Sequence, residues 1–214
     1  MPLQSAQQTA AHLLDIGAVQ FRPEQPFQWA SGMLAPIYCD SRLTLSFPEI
    51  RHSITDSFLQ LIKEYFGEAQ GIAGVATAGI PQAALLAERL SLPLCYVRAS
   101  PKGHGLTNLI EGKIDPQQKV VVIEDVLSTG QSSIKAVQAL REAGLEVLGI
   151  VAIFTYGFDL MEQNFQEANI PYYTLTDYTT LLSVYAKKFD LSESIMATLH
   201  EWRKNPQQWQ STVS

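Results

Sequence analysis

The 214-residue sequence predicts an α/β fold, a mainly parallel sheet covered by helices on both faces. Three observations carry that prediction. Short apolar runs of strand length alternate with amphipathic, helix-length segments through most of the chain. Glycine and proline stand at several of the switches, as at Gly17, Gly32, Pro36, Gly79, Pro81 and Gly144. The four β-branched residues Val120–Ile123 form a strand signal that leads, within ten residues, into a helix.

Taken in order, residues 5–17 read as an amphipathic helix, with Leu13, Leu14 and Ile16 on its apolar face and Gly17 as its stop. Residues 26–40 are extended and turn-rich. Ser46 and Glu49 have the spacing of a capping box, and Pro48 suits the first turn of a helix running to about Phe66. A strand at 71–77 is followed by a helix ending at Leu90, and a second strand spans 92–98. Residues 99–116 show no periodicity. A strand at 119–125, a helix at 132–143, a strand at 145–154, a helix near 158–168 and a short strand at 172–175 follow. Two helices close the chain, the last capped by Asp190 with Glu193. No repeat and no linker divides the sequence, so residues 1–214 are expected to form one domain.

A net charge of −6 and a hydrophobic share of 46% suit one substantial core, and they argue against nucleic acid or an anionic membrane as the main partner. No apolar run approaches the ~20 residues of a membrane helix, and no basic leader precedes the first helix, so a cytoplasmic location is expected. Cys39 and Cys95 sit in apolar contexts without a CxxC spacing and read as reduced, buried thiols. The histidines at 12, 52, 104 and 200 lack metal-ligand spacing.

The most informative stretch is VVVIEDVLSTGQSS, residues 120–133. Parallel sheets collect ligands at the carboxyl ends of their strands, and Glu124 and Asp125 lie at such an end. The loop beyond them enters a helix N-terminus, whose unpaired N–H groups and partial positive charge favour a phosphate. Ser128, Thr129 and Ser132 add hydroxyls, and Gly130 lets backbone approach closely. Carboxylates beside a phosphate cradle need another task, and accepting hydrogen bonds from sugar hydroxyls is one. A ribose 5-phosphate meets both demands; the local pattern alone leaves a plain helix cap open. Neither a P-loop nor a dinucleotide glycine fingerprint occurs.

A second stretch, YVRASPKGHGLTNLIEG at 96–112, sets Arg98, Lys102 and His104 within seven residues of a glycine-flanked loop. Such a loop is either a solvated connector or a lid that closes on an anion, and the neighbouring cradle makes pyrophosphate the natural anion.

Together these residues resemble the orotate phosphoribosyltransferases, of the type I phosphoribosyltransferase family. The 120–133 stretch is similar to that family's motif for 5-phosphoribosyl 1-pyrophosphate (PRPP), and the K-x-H-G loop followed by IEG is similar to its mobile loop. SGMLAPIYCDSRLTLSFP (31–48), GVATAGIPQAALLA (74–87) and LHEWRKNP (199–206) extend the likeness over about residues 8–206. The resemblance implies a mainly parallel five-stranded sheet with a small hood, to which the N-terminal segment and residues 26–40 contribute. It implies transfer of the phosphoribosyl group from PRPP to orotate with Mg²⁺ held mainly through PRPP, and a homodimer whose loop acts across the interface. By motif position, PRPP would be held by Arg98, Lys102, His104, Glu124, Asp125, Val126, Leu127, Ser128, Thr129, Gly130, Gln131 and Ser132. Lys102 and His104 would be catalytic, and Ser128 and Tyr156 would reach orotate. The chain departs from the common pattern at Ala30, at Leu34-Ala35-Pro36, at Ala99, at Gln131 and at Tyr156. Those departures keep two alternatives open, transfer to another base and a non-catalytic PRPP sensor.

Overall fold

A computed structural model gives the architecture of residues 3–29, 31–100 and 109–209. The central sheet has the strand order β10-β9-β8-β5-β6-β7. These strands are β5 (Gly71–Val75), β6 (Leu94–Val97), β7 (Ile110–Gly112), β8 (Lys119–Leu127), β9 (Glu146–Thr155) and β10 (Tyr172–Asp177). The five strands the resemblance implies run parallel, and β7 joins β6 antiparallel at the edge. β7 lies inside the stretch that shows no periodicity, because three residues are too few to display an alternation.

Helices cover both faces. β8 alternates between the two sides: Val121 and Ile123 pack with Leu13, Phe58, Leu86 and Trp202, while Val120 and Val122 pack with Val137, Leu140, Met161 and Phe165. The first face is built by α1 (Leu3–Asp15), α2 (Pro48–Tyr65), α3 (Gly79–Leu90), α6 (Tyr178–Phe189) and α7 (Glu193–Lys204). The second belongs to α4 (Gln131–Glu142) and α5 (Asp159–Glu167). Among the described residues no helix is long and apolar enough to cross a membrane.

Strand order places the site. From β5 the chain passes through α3 to β6 on one side, and β8 then returns to the other side of β5. This reversal opens a crevice at the carboxyl ends of β5 and β8. Contact there is close: a Cβ at Gly79, the first residue of α3, would lie 2.4 Å from the Ile123 carbonyl oxygen. Ala would not fit.

Above the strand ends sit two small antiparallel pairs, β1 (Val19–Phe21) with β4 (Ile37–Cys39) and β2 (Phe27–Gln28) with β3 (Leu34–Ala35). β2, β3 and β4 are the ordered form of the extended, turn-rich segment at 26–40, and β1 precedes it. A 3-10 helix, Ser41–Ser46, follows them.

Two capping expectations are corrected. Ser46 does not cap α2, because it is the last residue of the 3-10 helix, and Phe47 takes the cap position without a side-chain bond. Asp190 ends α6 in a left-handed conformation (φ 47°), and Ser192 caps α7 by accepting the Ile195 N–H at 3.4 Å. In both cases a preceding helix claims the residue first.

Candidate active site

Glu124 and Asp125 occupy adjacent positions near the end of β8 and therefore point to opposite sides of the sheet. Glu124 is only 5% exposed and accepts hydrogen bonds from Ser133 Oγ at 3.0 Å and from the Asp125 N–H at 3.2 Å. Burial, and then the neighbouring Asp125, push its carboxyl well above the ordinary range. Asp125 is half-buried and accepts a 2.5 Å hydrogen bond from Ser41 Oγ in the 3-10 helix. One carboxyl is thus held beneath the crevice, and the other at its rim.

Beyond β8 the chain turns into α4 through Ser128, Thr129 and Gly130. Gly130 has φ +76°, a conformation that favours glycine, and a Cβ there would lie 2.5 Å from Phe165 Cε1. It caps α4 without any side-chain hydrogen bond, which leaves the first N–H groups of the helix for a ligand. The loop is braced from behind. Asn164 Nδ2 donates to the Thr129 carbonyl at 3.0 Å, and the Leu127 carbonyl accepts the Tyr156 N–H at 3.1 Å. Leu127 turns its side chain into the core, so only its backbone is available to a ligand.

A cavity of about 630 Å³ opens between this loop and the hood, lined by Trp29, Gly32 and Met33 on one side and by Ser128, Thr129 and Phe158 on another. Its aromatic walls suit a flat heterocycle, and its volume lies in the ordinary range of ligand sites. Tyr156 stands behind this cavity rather than on its surface. It is 4% exposed, its ring centroid is 4.9 Å from that of Trp29, and its plane is nearly parallel to Phe158. Burial pushes its phenol well up.

Arg98, just past β6, forms a 3.4 Å ion pair with Glu111 of β7. It lines a second cavity, of about 450 Å³, together with Gln131 and Ser132 at the start of α4. The fold therefore brings Arg98 and the start of α4 together across β5. Lys102, His104 and Ala30 lie outside the described residues.

Ser41, Ser133 and Asn164 support the site and were not singled out in the sequence. Ser133 had a signal, as the residue after Ser132 in the first turn of α4. Asn164 comes from a remote segment that nothing local marks, and Ser41, although within the 31–48 stretch, has no local sign of its pairing with Asp125.

The comparisons define first a class. A model of the phosphoribosyl transferase domain matches residues 45–173, which include β5, α3, β8 and the whole phosphate loop. Orotate phosphoribosyltransferase of Bacillus subtilis is 54% identical over 198 residues, 92% of each chain. That of Cytophaga hutchinsonii is 53% identical over 94% of this chain and 97% of its own. The crystal structure of orotate phosphoribosyltransferase from Aeropyrum pernix superposes with a TM-score of 0.75 at 30% identity, over 83% of this chain and 98% of that one. Within the phosphoribosyltransferases, this chain belongs to the orotate phosphoribosyltransferase family.

Proposed function

We propose that the chain, as a single phosphoribosyltransferase domain over residues 1–214, transfers the 5-phosphoribosyl group from PRPP to orotate. The products are orotidine 5′-monophosphate and pyrophosphate, in the route to UMP. The observation that carries this reading is the carboxylate pair at the end of β8, which runs directly into an uncapped helix N-terminus beside an aromatic cavity.

In the reaction the bond from C1 of ribose to a pyrophosphate oxygen breaks, and N1 of orotate forms the new bond to C1 as its proton is released to solvent or to the departing pyrophosphate. Residues Ser128–Ser132 hold the 5-phosphate through backbone N–H groups and hydroxyls. Val126 and Leu127 take part through the backbone that leads into that loop. Glu124 and Asp125 accept hydrogen bonds from the ribose hydroxyls, and a negative charge at Asp125 favours the cation-like sugar of the transition state. Ser128, which faces both the loop and the cavity, reaches the base. Tyr156 acts from behind, by fixing Trp29 and Phe158. Arg98, Lys102 and His104 stabilise the charge that grows on pyrophosphate.

Mg²⁺ would be held mainly through PRPP itself, since that ion keeps waters and phosphate oxygens as ligands and, of the carboxylate pair, Glu124 is buried with its carboxyl pushed up, leaving Asp125 at the rim. Bound with PRPP, it would neutralise charge on the leaving group. A homodimer, with the loop of one subunit reaching the site of the other, and a cytoplasmic location complete the proposal.

The test is loss of orotate's near-ultraviolet absorbance on mixing with PRPP and Mg²⁺, with pyrophosphate release followed in parallel and adenine, hypoxanthine and uracil as controls. Turnover of orotate alone is expected. PRPP binding without orotate turnover would overturn the acceptor or the catalytic assignment.

A further inference from the structure

The cavity has one more wall, made by the chain that follows α7. That helix is tied to two other parts of the site. Trp202 Nε1 donates to the Leu34 carbonyl of hood strand β3 at 3.3 Å, and Arg203 Nη2 donates to the Gly157 carbonyl, next to Phe158, at 3.2 Å. Past the helix the backbone closes a tight turn, with the Gln208 N–H donating to the Asn205 carbonyl at 3.3 Å. Asn205 Nδ2 also donates to Gln208 Oε1 at 2.9 Å. Trp209 is buried immediately afterwards. Gln207 thus sits inside a closed turn just ahead of a buried anchor; it is exposed and lines the cavity.

Its carboxamide has no hydrogen-bond partner among the described residues. Of the other hydrogen-bonding side chains on the cavity wall, Ser31, Ser128 and Thr129 are hydroxyls, and the Trp29 indole N–H already donates to the Ile37 carbonyl at 3.2 Å. A carboxamide differs from them by presenting a donor and an acceptor side by side in one plane. The C2–N3–C4 edge of a pyrimidine-2,4-dione presents the complement, an N–H beside a carbonyl oxygen. A base resting against Trp29 and Phe158 of the cavity wall would have that edge free for a planar partner.

We propose that Gln207 is a base-recognition residue: its carboxamide oxygen accepts the base N3–H while its NH₂ donates to an adjacent ring carbonyl oxygen. This rests on orotate as the acceptor. The geometry adds preorganisation, because the turn and Trp209 hold the backbone of Gln207 before any ligand arrives.

The experiment is steady-state kinetics of wild type, Gln207→Met and Gln207→Ala, with KM measured separately for orotate and PRPP and Tm measured for each protein. Met keeps the length of the side chain and removes both polar groups. The expected result is a rise of about tenfold in KM for orotate in both variants, the loss of one or two neutral hydrogen bonds. KM for PRPP and Tm should stay at wild-type values. An unchanged KM for orotate would overturn the proposal, as would a parallel rise in both KM values, which would mark Gln207 as a shaping residue only. Wild-type protein that leaves orotate unconverted would overturn the functional reading itself, and this proposal with it.

Discussion

Ser41 Oγ donates a 2.5 Å hydrogen bond to a carboxylate oxygen of Asp125, joining the 3-10 helix to the end of β8 across 84 residues of sequence. Ser41 is buried, so water cannot replace it without rearrangement. The bond fixes which carboxylate oxygen of Asp125 faces the crevice, and it ties the hood side of the site to the sheet. Ser41→Ala should raise KM for PRPP about 10- to 150-fold, the range of one hydrogen bond to a charged group. Ser41→Thr should restore most of the loss, while KM for orotate moves less than twofold in both variants. Kinetics with each substrate varied in turn check this. Equal shifts in both KM values would show that the bond supports the hood rather than the ribose site.

Glu124 gives a pH dependence with a definite sign. Its carboxyl is pushed well above the ordinary value by burial and by Asp125, so the folded protein holds a proton that the unfolded chain releases. Below the ordinary value both states are protonated, and the stability contribution is fully present. As pH rises from there toward the raised value, the native state binds more protons than the unfolded state, and stability falls. Glu124→Gln removes that loss and can still accept from Ser133 Oγ. Ligand-free Glu124→Gln should therefore match or fall slightly below wild type near pH 4. Near pH 8 it should exceed wild type, by about 2–4 °C in Tm for each kcal/mol recovered. Thermal melts across that range test it, and a gap that stays constant with pH would refute the proton linkage. PRPP turnover should fall most above the raised value, where wild-type Glu124 carries a charge that Gln lacks.

Much of this was legible in the sequence, because the signals were local. The run Val120–Ile123, the acids after it and the small residues before α4 all lie within one stretch of chain, and each is a strand, terminus or cradle signal on its own. The helix caps failed for a local reason too: Ser46 and Asp190 each satisfy two readings, and the preceding helix claimed both residues. What the sequence could not supply was remote pairing. Ser41 with Asp125, Asn164 with the Thr129 carbonyl, and Gln207 with a cavity whose other walls come from the hood and the phosphate loop depend on how distant elements stack. Tyr156 shows the same limit. Its position in the motif suggested a contact surface, whereas packing between Trp29, Phe154 and Trp202 makes it a support.

The two cysteines should be slow to modify. Cys95 is buried, and its thiol is pushed up to about 11 by burial alone. Cys39 is raised further still, by burial and by the negative charges of Asp125 and Asp40. A rise of two units lowers the thiolate fraction at neutral pH about 100-fold, before any loss of access. An aromatic disulfide reagent at pH 7.5 should thus label native protein at least about 100-fold more slowly than protein in denaturant, where both thiols react promptly. Rapid native labelling of one thiol would show that its pocket opens often.

The sharpest backbone test is Gly130, where the phosphate loop meets α4. Its φ of +76° disfavours any side chain, and a Cβ would sit 2.5 Å from Phe165 Cε1. Phe165 cannot simply step aside, since it is 1% exposed and holds an edge-on contact with Tyr172 at 5.2 Å between ring centroids. Gly130→Ala therefore combines two penalties, about 1–2 kcal/mol for the left-handed backbone and about 1–3 kcal/mol for overpacking. Tm should fall by roughly 5–15 °C. KM for PRPP should rise as well, because any relief moves the N–H groups proposed to hold the 5-phosphate. Phe165→Leu removes the ring that collides, at its own cost as a cavity. In the double variant the collision is gone but the backbone strain remains, so its destabilisation should be smaller than the sum of the two single effects by about 1–2 kcal/mol. Denaturant unfolding of the four proteins measures that difference. Strict additivity would mean that the collision is relieved elsewhere, and that strain at φ alone makes glycine necessary at this position.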